Sequence, residues 1–63
     1  MELIGFYYEK NGDKKELYLD ESNNKGFCYL TNKNKSKVYE WFIFKTNVIT
    51  YCNKNFNNFE EKK

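Results

Sequence analysis

The 63-residue chain has no histidine, arginine, proline, alanine or glutamine. Without histidine there is no Ser–His or Cys–His nucleophile pair and no imidazole zinc site. Its three glycines, Gly5, Gly12 and Gly26, are too scattered to form a phosphate-cradling loop. The strongest apolar run, Trp41-Phe42-Ile43-Phe44, falls far short of the ~20 residues a membrane-spanning helix needs. Met1-Glu2 opens the chain without a basic or apolar leader, so the sequence reads as a cytoplasmic protein with no membrane partner. Cys28 and Cys52 are too far apart for a CxxC redox or zinc pair and are expected as buried free thiols, Cys28 above all. Ser22 and Ser36 lack an imidazole base, and the carboxylates of the first turn, Glu9 and Asp13, sit beside lysines where nothing raises a pKa. No cofactor, no metal and no enzymatic activity are expected.

Aromatics are plentiful: six Phe, six Tyr and one Trp. Charge is uneven. Residues 1–21 carry six acids against three lysines, whereas residues 22–54 carry six lysines against Glu40 alone. An acidic partner suits that second half, although a Lys-, Asn-, Tyr- and Ile-rich composition is also what an AT-rich genome writes, such as that of a low-GC bacterium or its phage.

Strand-forming residues in short runs, broken by Asn, Gly, Lys and Asp, predict a single small all-β or mainly β domain over residues 1–63. The expected architecture is an antiparallel meander of four to five twisted strands, open or partly closed into a barrel. Asn11-Gly12 predicts a two-residue type I′ turn joining strands at 3–10 and 14–20. That register sets Phe6 against Leu17, Ile4 against Leu19 and Gly5 under the Tyr18 ring, with Ile4, Phe6, Leu17 and Leu19 on one face. A polar loop at 21–25 leads to a strand from Phe27 to Thr31, and Val38 to Lys45 forms the most apolar strand. Alternation puts Val38, Phe42 and Phe44 on one face of it and Tyr39, Trp41 and Ile43 on the other. Val48 to Cys52 reads as a fifth strand, no crossover helix is expected, and the polar tail at 53–63 either frays or makes one helical turn through Phe56 and Phe59.

Lys25-Gly26-Phe27-Cys28-Tyr29-Leu30-Thr31 resembles the RNP1-type strand of cold-shock domains, with Cys28 where that family has glycine. The resemblance covers about a third of the chain. It implies that Phe27, Tyr29, Tyr39 and Trp41 form a base-stacking platform, with Lys25, Lys33, Lys35 and Lys37 reaching phosphates. The Trp-Phe strand that precedes the motif in the family is missing here, and aromatic strands more often bury their rings than bind bases.

A domain this small buries only ~60% of its unfolded surface, so an aromatic strand with two apolar faces favours an interface. Tyr39, Trp41 and Ile43 are its candidate residues, and a protein partner or a second copy its occupant. The reading that follows is a non-enzymatic macromolecule-binding protein, in the manner of phage or mobile-element inhibitors of host defence (anti-CRISPR proteins among them). Its alternatives are a small single-stranded nucleic-acid-binding domain and a structural oligomerisation module.

Overall fold

Five antiparallel strands form one open sheet in the computed structural model, which describes residues 1–22 and 26–63. The expected loop at 21–25 thus falls largely outside the described residues. Strands β1 (Glu2–Tyr8), β2 (Lys14–Glu21), β3 (Cys28–Thr31) and β4 (Val38–Phe42) follow as a meander, then come helix α1 (Thr46–Asn55) and the short β5 (Glu60–Glu61). The spatial order is β4-β3-β2-β1-β5, so the chain leaves one edge of the sheet, crosses a face as a helix and returns at the other edge. The sheet is mainly antiparallel β as its alternation predicts, and it does not close into a barrel.

The hairpin forms where expected, with one more loop residue than expected. The Glu9 N–H donates to the Asp13 carbonyl at 2.9 Å, and the Gly12 N–H donates to the Glu9 carbonyl at 2.9 Å. That makes a three-residue loop in which Gly12, at φ 91°, takes the left-handed conformation that suits glycine. The Asn11 side chain braces it by accepting from the Asp13 N–H at 3.0 Å. One added residue shifts the register, so Phe6 opposes Glu16 and Gly5 opposes Leu17. Phe6 therefore leaves the face of Leu17 and Leu19, and it is Phe59, with the Glu60 carbonyl, that covers Gly5. A register break between Leu3 and Gly5 returns Ile4 to the core side as a bulge.

Residues 48–52, expected as a strand, belong to α1. Their β-branched content favours a strand, but Val48 and Cys52 are four apart and share a helix face, both fully buried. The helix has no side-chain N-cap and no acid in its first turn. Packing therefore holds it, as is general for short helices. Val48 and Cys52 seal one core cluster with Leu17, Leu19, Cys28, Leu30 and Phe42. Beyond them Phe56 packs at a tilt against Tyr7, centroids 4.6 Å apart, and meets Tyr39 edge-on at 5.4 Å. The tail is thus docked. Phe56 and Phe59 pack on the core, and the Lys62 N–H donates to the Ile4 carbonyl at 2.9 Å.

Candidate binding face and edge

With α1 on one side, the second side of the sheet has no covering element among the described residues. Pairing sets its side chains in rows across the strands. One row runs Asp20, Tyr29, Trp41; the next runs Leu3, Tyr18, Thr31, Val38; a third joins Glu60, Phe6 and Glu16. The rings of Tyr29 and Trp41 meet at a tilt of 46°, their centroids 4.9 Å apart. The Lys14 ammonium sits 4.1 Å above the Phe6 ring, a cation–π contact.

The tyrosine hydroxyls on this face are tied to carboxylates. Tyr8 donates to Glu60 at 2.6 Å and Tyr29 to Asp20 at 3.2 Å. Tyr18 and Glu16, two residues apart on β2, share this face. The Tyr8 pKa is raised chiefly by its bond to Glu60, and that of Tyr18 by burial and then by Glu16. Lys35 forms an ion pair with Asp20, which lowers the carboxyl below its ordinary range and raises the ammonium. Lys35 reaches Asp20 from the 32–37 loop, where it holds φ 61°. Inside that loop the Asn32 side chain bonds Ser36 and the Lys37 N–H. The rings are therefore rimmed by three carboxylates, one of them neutralised.

Tyr39 and Trp41, expected on one face, lie on opposite sides. A bulge at the Leu30–Thr31 step leaves Tyr39 as an extra residue in β4. Its ring packs among Tyr7, Phe56 and the core, with its hydroxyl 3.3 Å from that of Tyr7. Burial raises its pKa above the usual tyrosine range. Trp41 is 52% exposed on the open face, in line with Val38 through their partners in β3. Ile43 lies past the end of β4, exposed like the neighbouring Phe44. Phe27 is exposed at the start of β3, where it lines a shallow depression with Ile43 and Lys45.

Of the residues expected as a stacking platform, only Tyr29 and Trp41 come together. Lys33 and Lys37 sit at the hairpin end, where with Lys14 and Lys15 they line an open depression that also holds Glu9 and Glu16. Lys37 lies 5.0 Å over the Tyr39 ring. Lys25 lies outside the described residues. Phe6 and Tyr18 were missing from the sequence-based site; a one-residue longer hairpin loop was the only change needed to place Phe6 there.

β4 is also a free edge of the sheet. Along it the Trp41 N–H is taken by the Glu40 carboxylate at 2.9 Å rather than by another strand. The opposite edge, β5, is two glutamates long. The described residues hold no cluster of three His, Cys, Asp or Glu that suits a metal, and no helix long and apolar enough to cross a membrane. No known protein family, curated protein or solved structure matches the chain.

Proposed function

We propose that the protein is a non-enzymatic binding module that works by covering a surface of a protein partner with its open sheet face. The observation that carries this reading is the group of rings Phe6, Tyr18, Tyr29 and Trp41, one from each of four adjacent strands on the open side, with no element laid over them among the described residues. Tyr and Trp bury much area with little side-chain entropy lost, which makes them effective anchors at interfaces. Around the rings stand the carboxylates Glu16, Asp20 and Glu60 and the ammoniums of Lys14, over the Phe6 ring, and Lys35, paired with Asp20, which leaves a small excess of negative charge that suits a partner presenting lysine or arginine among apolar side chains. A small rigid face of this kind acts by steric blocking, as in phage-encoded inhibitors of host defence proteins, and the composition is that of an AT-rich genome.

The test is Trp41→Lys. The variant is expected to keep its β spectrum and its helix while losing capture of the partner from host lysate by at least tenfold. Capture unchanged from the wild type would sink the reading.

A second reading, an anionic ligand such as single-stranded nucleic acid, draws on the four lysines at the hairpin end. Counterion release makes such binding fall steeply with salt. Titration of labelled single-stranded DNA at low salt decides it: no binding removes the reading, and binding lost in a Lys33→Glu, Lys37→Glu double variant but kept in Trp41→Lys favours it over the first.

A further inference from the structure

We propose that the depression at the hairpin end of the sheet binds the phosphate monoester of a nucleotide, free or at the end of a strand. The proposal narrows the second reading above to one chemical group and is independent of the open-face reading.

The depression holds about 470 Å³ between the β1–β2 hairpin and the 32–37 loop. That exceeds what a phosphate group needs, so the alcohol it esterifies fits as well. Four lysines and two glutamates line it, an excess of two positive charges. Lys14 is held over the Phe6 ring at 4.1 Å and Glu16 stands opposite Phe6 in β2, so these two offset each other on the open side of the hairpin. Lys15 pairs with Glu9 at 3.7 Å. Lys33 and Lys37 have no ion pair among the described residues, and they carry the excess. A phosphate monoester brings nearly two negative charges at neutral pH and three acceptor oxygens, whereas a carboxylate or an internal phosphodiester brings one charge.

The uncharged groups of the depression are donors too. The Tyr7 and Tyr39 hydroxyls lie 3.3 Å apart, so one donates to the other. The pair has two hydrogens, and that bond uses one. The second has no acceptor among the described residues, and a phosphate oxygen supplies it. Asn34 accepts the Ser36 N–H through Oδ1 at 3.1 Å, which leaves its NH2 to donate. The loop is fixed without a ligand. The Lys37 carbonyl accepts from the Thr31 hydroxyl at 2.8 Å and from the Asn32 N–H at 3.2 Å, and the Lys37 N–H donates to Asn32 Oδ1 at 3.2 Å. Lys35, between the two lysines in sequence, is spent on Asp20 at the open face. Donors held in place in this way lose little entropy on binding.

The experiment titrates the whole protein, read by calorimetry and amide NMR. The probes are thymidine 5′-monophosphate against thymidine, and a short thymidine strand with a 5′-phosphate against the same strand with a 5′-hydroxyl. A phosphorylated probe is expected to bind at least tenfold tighter than its counterpart and to shift the Lys33 and Lys37 amides. Preference in the free pair alone assigns the site to a free nucleotide; preference in the strand pair assigns it to a strand end. Lys33→Gln combined with Lys37→Gln is expected to lose at least tenfold. Tyr7→Phe or Tyr39→Phe alone is expected to change affinity less than twofold, because the remaining hydroxyl turns its hydrogen to the ligand. The double Tyr→Phe variant is expected to lose at least threefold, and it keeps its fold because the two hydroxyls meet only each other. Equal binding within both pairs of probes, binding kept in the double lysine variant, or no loss in the double tyrosine variant overturns the proposal. A phosphoserine peptide that binds tenfold tighter than both phosphorylated probes overturns it in favour of a protein ligand. The single-strand reading fails separately: neither strand then binds at low salt, while thymidine 5′-monophosphate still does.

Discussion

On the helix side of the sheet, Leu17, Leu19, Cys28, Leu30 and Phe42 pack under Val48 and Cys52. On the other side of the same strands, one residue along, stand Tyr18, Tyr29 and Trp41. The covered side is built mainly from apolar groups, with the hydroxyls of Tyr7 and Tyr39 meeting each other at 3.3 Å. The open side is built from rings whose polar ends are met by carboxylates. One side supplies the stability, since each fully buried Leu contributes ~1.5–3 kcal/mol. The other spends little of it, because half-wet rings lose little when exposed. A domain this small can therefore keep a large aromatic face without depending on it to fold.

The sharpest way to break that contrast is truncation on each side. Leu17 and Leu30 are both 0% exposed. Leu17→Ala or Leu30→Ala is expected to cost ~2–5 kcal/mol, enough to unfold a marginal domain at room temperature. Trp41→Lys, on the open side, is expected to cost less than ~1 kcal/mol. Urea denaturation compares them, and equal losses would mean that the open face is core.

Gly5 tests what joins the two sides at the β1 edge. A Cβ there runs into the Glu60 carbonyl and the Phe59 ring. Gly5→Ala is expected to push β5 off the sheet and cost ~1–3 kcal/mol by overpacking. Loss of amide protection at Lys62, which donates to Ile4, reports the event directly.

How much of this contrast is legible in the sequence differs by element. The strands β1 to β4 and the buried aliphatics follow from alternation, because a period of two is stated by every residue along a strand. The longer hairpin loop and the bulge in β4 are invisible, since one extra residue leaves composition unchanged while turning Phe6 outward and Tyr39 inward. Val48 to Cys52 misleads for a different reason. β-branched propensity favours a strand, whereas the i, i+4 pair Val48 and Cys52, continued by Phe56, has the helical period. Tertiary burial decides for the period. Trp41 is recognisable as an interface residue in the sequence, but the face it shares with Phe6, Tyr18 and Tyr29 depends on a register that only the fold supplies.

Cys52 carries the contrast into pH. Burial pushes its thiol up to about 11, above the ordinary thiol value. The unfolded chain therefore releases this proton first as pH rises. Stability is fully present below the unfolded thiol pKa, falls from about pH 9 and levels off near pH 11, a loss of roughly 3 kcal/mol. Cys52→Val is expected to remove that part of the alkaline loss. In the native protein, a thiol reagent at pH 8 is expected to label Cys28 and Cys52 slowly, and both quickly once denatured.

The smallest expected effect lies on the open side, at Lys35. Two terms oppose each other there. Lys35 holds φ 61°, a conformation that costs a residue with a Cβ about 1 kcal/mol and glycine almost nothing. Its ammonium pairs with Asp20 at the surface, where solvent screening leaves such pairs only a small contribution. Lys35→Gly removes both at once, so its stability at neutral pH is expected within ~0.5 kcal/mol of the wild type. The two terms separate with acid. The Asp20 carboxyl is held low chiefly by Lys35, so its contribution is present above the unfolded carboxyl pKa and is lost as pH falls through the folded value. The backbone strain does not titrate. Below the carboxylate range the glycine variant is therefore expected to be the more stable of the two, and its acid limb the flatter. Denaturation midpoints of both proteins at pH 7 and pH 2.5 measure the crossing. Parallel acid limbs would mean that Lys35 and Asp20 do not interact in solution, and that the carboxylate rim of the open face is less neutralised by its own chain.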